Sequence, residues 1–294
     1  MPEYVLLTLT SSAVYAVATV LQKHGVATRL PGFALQDVFS RFGELLAATL
    51  KNRVWLLGLA ILPFGFGLEI QAVSMGDISV VRPLSRLEAA FSVAIGVTLL
   101  GERLSAREGI GVAAMIAGAL VLTLEPAPER ALGPGDASTA LALGAAGGLV
   151  AALLVAQARR PDWVTPEYGL AVSAGLMFAL SDIMMKIGTS AVKEKAGSFQ
   201  IASAQTVALL LQSSQFLIFV VIAISAFLVL QIAYSHGRVS LVIPVAGISG
   251  TLLTLLLAFV LLREPLSQSR VLAVLAMLVG LVLALRNPSG SRAT

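Results

Sequence analysis

Gly76-Asp77-Ile78-Ser79-Val80-Val81-Arg82-Pro83-Leu84 is followed, much later in the chain, by a near-copy of itself: Gly237-Arg238-Val239-Ser240-Leu241-Val242-Ile243-Pro244-Val245. Glycine, serine, valine and proline recur in the same order. Two further matches keep almost the same register. Leu99-Leu100-Gly101-Glu102-Arg103-Leu104-Ser105 answers to Leu261-Leu262-Arg263-Glu264-Pro265-Leu266-Ser267, and Lys23, closing one apolar run, answers to Lys186, closing another. Apolar helices resemble one another by chance, but serine, proline and glutamate landing together in order mark an internal repeat.

The repeat lies in a chain built for lipid. Of 294 residues 57% are hydrophobic and only 12% charged, with a mean hydropathy of +0.91; a soluble domain carries about 25% charged residues. The apolar runs are unbroken rather than alternating, which suits helices and argues against a β-barrel. There is no cysteine, hence no disulfide framework and no thiolate metal site. The formal charge of +4 is what cytoplasmic loops supply, and does not point to nucleic acid. The first apolar run follows Met1-Pro2-Glu3-Tyr4 without a basic region, so it reads as a membrane helix rather than a cleaved signal.

Nine stretches are long and apolar enough to cross a bilayer: 4–22, 54–75, 79–100, 106–124, 138–157, 168–186, 214–235, 239–262 and 269–286. Segment 33–50, carrying Asp37, Arg41 and Glu44, suits the interface; segment 197–212, short and rich in Ser and Gln, suits a surface-lying or re-entrant piece. The expected fold is an all-α membrane protein of nine transmembrane helices, ten if one weak segment crosses. Residues 1–124 form one four-helix repeat, 125–166 a linker with an extra helix, and 167–294 the second repeat. Four spans return the chain to its starting side, and the extra helix carries it across once. The two halves are therefore expected to be inverted, a common transporter plan. Arg29, Arg41, Lys51 and Arg53 after the first span put the N-terminus outside and the C-terminus in the cytoplasm.

A charge at the centre of a span costs about 2.5–3.5 kcal/mol on insertion scales, so each one asks for a reason. Six stand out: Glu69, Arg82, Arg86, Glu88, Asp182 and Lys186. Arg82 and Arg86 are one turn apart and share a face with Ser85, with Glu88 beside that stripe; this face belongs inside the bundle. Asp182 and Lys186 repeat the one-turn spacing in the order of an ion pair. Either these charges only fasten helices together, or an acid carries a proton or cation while an arginine holds a substrate anion. Pro83 and Pro244 free the carbonyls of Ser79 and Ser240, which such broken helices offer to substrate. Gly111, Ala114 and Gly118 give the fourth span a small-residue packing face. Trp55 and Trp163 suit interfacial belts, and His236 suits a loop. No nucleophile–base or metal-ligand arrangement appears, and no enzyme is expected.

Each half resembles the repeat of the drug/metabolite transporter superfamily: a first helix ending Leu21-Gln22-Lys23 or Met184-Met185-Lys186, a proline-containing helix, then the Gly101-to-Ser105 or Arg263-to-Ser267 turn. The halves look like the small multidrug resistance proteins, whose acidic residue eight positions before the lysine is replaced here by Tyr15 and Phe178. The four-one-four layout is similar to the NIPA-type magnesium transporter branch, with Arg82 and Arg86 where that branch has uncharged residues. The resemblance implies alternating-access transport without a cofactor, by a monomer or homodimer in the cell membrane. Its partners are the lipid bilayer and a small-molecule or ion substrate. A polar or anionic metabolite suits Arg82 and Arg86 as its clamp, with Glu88, or else Glu69 or Asp182, as the coupling carboxylate; divalent-cation transport is the alternative. A non-transporting scaffold, from another class, would have all six charges paired.

Overall fold

The computed structural model describes residues 2–27, 51–99, 106–124, 166–236, 239–264 and 267–285, with isolated positions 144, 147, 148 and 152. Among them every element is a helix: α1 (Glu3–Ala27), α2 (Arg53–Met75), α3 (Ile78–Ser85), α4 (Leu87–Leu99), α5 (Ala106–Leu124), α6 (Pro166–Ala196), α7 (Ala204–Gln212), α8 (Ser214–His236), α9 (Val239–Leu261) and α10 (Gln268–Leu285). Apolar composition alone makes helix the default here, since the backbone must satisfy its own hydrogen bonds in lipid. Phe64, Leu124, Val221 and Leu272 project outward, each more than half exposed. Such a surface belongs against acyl chains.

Among the described residues, three helices are long and apolar enough to cross a membrane by themselves: Glu3–Gln22, Arg53–Met75 and Tyr168–Ala196. Helices α7 and α8 meet at 80° and count as a fourth candidate only if the bent pair is one span. The expected crossing at 138–157, the weak segment 33–50 and the Gly101–Ser105 turn lie outside the described residues.

Two expected spans need correction. Stretch 168–186 is the front part of a helix that runs from Pro166 to Ala196; the charges at Lys193, Glu194 and Lys195 carry it beyond the apolar core without ending it. Stretch 79–100 is not one helix but two, broken at Arg86. The break falls three residues after Pro83, where the Arg86 N–H donates to the Pro83 carbonyl at 3.0 Å and the Ala89 N–H to the Arg86 carbonyl at 3.1 Å. These three-residue reaches overwind the chain locally. The turn sends Arg86 toward a different helix from Arg82, to α9 rather than to α2 and α6.

Helix α1 packs antiparallel to α2, α6 to α8 and α5 to α10, whereas α9 runs parallel to α6, with Gly175 against Ala246 and Gly250 and Asp182 against Thr254. Asn52 caps α2 by accepting from the Val54 and Trp55 N–H groups at 3.0 and 3.2 Å. At the other end of α2, Gly76 leaves room for the Tyr4 ring at the start of α1. Helices α5 and α10 approach most closely where side chains vanish. A Cβ on Gly118 would lie 2.5 Å from the Ala273 carbonyl oxygen and 2.6 Å from Met277 Cγ; one on Gly280 would lie 2.5 Å from the Gly111 carbonyl oxygen and 2.8 Å from Met115 Cγ. In the register of the 99–105/261–267 match, Gly118 answers to Gly280, Gly111 to Ala273 and Met115 to Met277. The two helices thus contact each other through equivalent residues, as the small-residue face of the fourth span requires.

Candidate functional site

Glu69 on α2, Arg82 on α3 and Asp182 on α6 converge in the interior. Arg82 lies between the two carboxylates and donates one guanidinium nitrogen to each. Both acids are almost fully buried, Glu69 at 4% and Asp182 at 2% exposure. Each is held by further donors: Tyr15 Oη to Glu69 at 2.8 Å, Ser85 Oγ to Glu69 at 3.4 Å, and Thr254 Oγ1 to Asp182 at 3.2 Å. A planar guanidinium can serve two carboxylates at once, which a lysine ammonium does with far less geometric control.

Arg86 stands apart. Its Nε donates to Thr251 Oγ1 on α9 at 2.9 Å, and no carboxylate forms an ion pair with it among the described residues. Arg82, then Asp182, Glu88 and Glu69, are near enough to act on it electrostatically. Glu88, on the first turn of α4, accepts from Thr19 Oγ1 of α1 at 2.7 Å and likewise has no cationic partner among the described residues. The guanidinium and the carboxylate least committed to protein partners therefore flank the break in the third expected span.

The structure parts the expected Arg82–Arg86 clamp: Arg82 is occupied by Glu69 and Asp182, and Arg86 is left. It also replaces the expected Asp182–Lys186 pair. Lys186 Nζ donates to the Val73 carbonyl at 2.8 Å and the Gly76 carbonyl at 2.6 Å. Carbonyls in the last turn of a helix lack intrahelical donors and carry its negative dipole end, so an ammonium suits them.

Ser79 is found away from the interior cluster. Its N–H, at 2.8 Å, and that of Ile78, at 2.9 Å, donate to the Glu264 carboxylate beyond α9. Its hydroxyl accepts from Arg270 Nη1 of α10 at 2.9 Å, while the same nitrogen reaches Asp77 Oδ2 at 3.3 Å. Asp77 is thus the N-cap residue of α3 without capping it. A glutamate from the far end of the chain does so instead, favoured by the positive dipole end. Ser240 begins α9, and its side chain is outside the described residues. Gln71 joins α2 to the turn before α7, donating to the Phe199 carbonyl and accepting from the Ile201 N–H, both at 2.9 Å.

Sequence reading passed over Thr19, Thr251, Thr254, Glu264 and Arg270 as site residues. The repeat held a signal for one: Thr19 precedes Lys23 as Asp182 precedes Lys186, four residues in each case. Thr251 and Thr254 sit in an uncharged span and carried none. Tyr15 was noticed only as a missing acid, and it hydrogen-bonds the acid that α2 supplies.

Neither the curated proteins nor the solved structures contain a match to this chain. The stretch from the start of α1 to the end of α5, residues 3–124, matches the model of the EamA-like transporter family. Over that stretch, less than half of the chain, the protein is similar to the EamA-like transporter family of the drug/metabolite transporter superfamily, a family of multi-span membrane transporters.

Proposed function

We propose that the protein is a secondary transporter of a small polar or anionic metabolite, moving it by alternating access between two inverted four-helix halves, 1–124 and 167–294. Arg86 holds the substrate anion, and Glu88 carries the coupling proton or cation. The observation that supports this reading is the contrast between the two arginines: Arg82 is neutralised by Glu69 and Asp182, whereas Arg86 has a threonine hydroxyl as its hydrogen-bond partner. A charge left without a counter-ion inside a membrane protein is costly unless something arrives to pair with it. Glu69, Arg82, Asp182, Tyr15 and Thr254 then form a fixed brace beside the pathway. Inversion is supported by the antiparallel run of matched helices: Lys186, late in α6, lies at the same end of the bundle as Tyr4, early in α1.

The magnesium reading gains nothing from the site. Among the described residues no group of three or more His, Asp and Glu could hold a metal ion, and the Arg86 guanidinium opposes a divalent cation.

Purified protein screened by thermal shift against small carboxylates, phosphates and divalent ions tests the proposal, since a ligand of the folded form raises its melting temperature. An anion that stabilises the wild type but not Arg86→Ala, together with uptake into proteoliposomes lost in Glu88→Gln, is the expected result. Stabilisation by Mg²⁺ alone, surviving Arg86→Ala, would reject it.

A further inference from the structure

Arg86 is anchored to α9 through its Nε, which donates to the fully buried Thr251. One turn earlier on α9, and so on the same face, stands Gly247. A Cβ built there would lie 3.8 Å from Arg86 Nη1, 3.9 Å from Arg86 Cδ and 3.1 Å from Leu281 Cδ2 of α10. The arginine side chain thus lies along bare backbone, and only hydrogen stands at Gly247 where a side chain would cover Nη1. With Nε committed, a guanidinium keeps one fork for a two-oxygen anion, the end-on pair of Nη1 and Nη2. In the register of the 76–84/237–245 match, Arg86 answers to Gly247 itself. A residue packed on its own repeat-equivalent lies close to the axis that relates the two halves. A ligand on this guanidinium therefore meets the first half at the α3–α4 break and the second at α9.

Resting on the reading of Arg86 as the substrate's anion site, we infer that Gly247 is the specificity-determining residue of that site. Its missing side chain leaves the Nη1–Nη2 fork open to one oxyanion head, a carboxylate or a phosphoryl group held through two oxygens. Thr251 is the positioning residue that orients the fork. Paired, charge-assisted bonds of this kind are short and fix the orientation of the ligand as well as its affinity. Arg82 supplies the contrast within the same molecule. Both of its terminal nitrogens are taken by carboxylates, those of Glu69 and Asp182. Arg86 has a glycine where an acidic side chain would complete the same arrangement. An aspartate at 247 would provide from the protein the charge that the substrate otherwise brings.

Melting temperatures of the purified full-length protein are compared for Gly247→Asp and its uncharged isostere Gly247→Asn, each with Arg86 intact and with Arg86→Ala. Gly247→Asp should melt about 2–4 °C above Gly247→Asn when Arg86 is present, and no higher than it in Arg86→Ala. Sodium acetate and inorganic phosphate are then added, against sodium chloride of equal ionic strength. One or both should stabilise the wild type, which identifies the head, and neither should stabilise Gly247→Asp or Gly247→Val, whose branched side chain covers Nη1. Should Gly247→Asp not fold, Leu281→Ala removes the methyl that the new Cβ meets, and the comparison is made in that background. Equal melting of Gly247→Asp and Gly247→Asn with Arg86 present, or an anion shift retained in Gly247→Val, overturns the role of Gly247. The reading of Arg86 then still stands if Arg86→Ala abolishes the shift. An anion shift that survives Arg86→Ala, or a wild type that neither anion stabilises, rejects the anion site itself.

Discussion

The Arg82 guanidinium joins Asp182, one hundred residues further along the chain, to Glu69, thirteen residues before it. This single side chain ties α3 to both α2 and α6, and its removal strands two buried carboxylates. Breaking a buried ion pair from one side costs about 3–5 kcal/mol, because the remaining charge has no compensation. Arg82→Met should therefore lower the unfolding midpoint of the purified protein sharply. Arg82→Lys should recover only part of the loss, since an ammonium lacks the planar fork. Equal stability of the wild type and Arg82→Met would show that the triad does not brace the fold.

Asp77 makes stability pH-dependent where α3 meets Glu264 and Arg270. Its carboxyl titrates above the ordinary 3.8, chiefly because it is buried and then because the Glu264 carboxylate repels its charge; Arg270 and Lys186 oppose both effects without cancelling them. The Tyr4 ring also lies at this end, and its hydroxyl faces the same Asp77 charge. The folded protein thus holds this proton more tightly than the unfolded chain. The stabilisation from that proton is complete below the unfolded value and is lost as pH rises through the raised folded value. Asp77→Asn, which cannot ionise, should lose less stability than the wild type on going from pH 3 through the range just above 3.8. Parallel melting curves for the two proteins across that range would contradict this.

Close contact between α5 and α10 depends on two missing side chains. Gly118→Val and Gly280→Val would each push a branched side chain against backbone of the facing helix. A loss of about 1–3 kcal/mol is expected for overpacking of this kind. Gly67→Ala is the control: nothing lies within 4 Å of its added Cβ. A helical Gly-to-Ala change stabilises by roughly 0.5–1 kcal/mol. Melting temperatures of the three variants separate packing from helix propensity.

Lys186→Met keeps the length of the side chain and removes its donors. The Val73 and Gly76 carbonyls then lose their ammonium, at a cost of about 1–3 kcal/mol for buried acceptors left unsatisfied. Hydrogen exchange should show the last turn of α2 opening more readily, while α5 and α10 are unaffected. Protection at α2 that does not change would show that Lys186 does not hold the end of that helix.

Composition and periodicity determined that this protein is helical and spans a membrane, and the repeated Gly–Ser–Pro and Glu–Ser stretches determined where matched helices begin. Both follow from local physics: about 20 apolar residues cross a bilayer, and within it the backbone bonds to itself. Tertiary structure alone decided which charge meets which. Spacing suggested that Asp182 would pair with Lys186 one turn away, yet each found its partner on another helix. It likewise grouped Arg82 with Arg86, which the overwound turn after Pro83 separates. An ionised group in a low-dielectric interior takes the best-placed counter-charge or carbonyl in three dimensions. Sequence spacing reports only neighbours on the same helix.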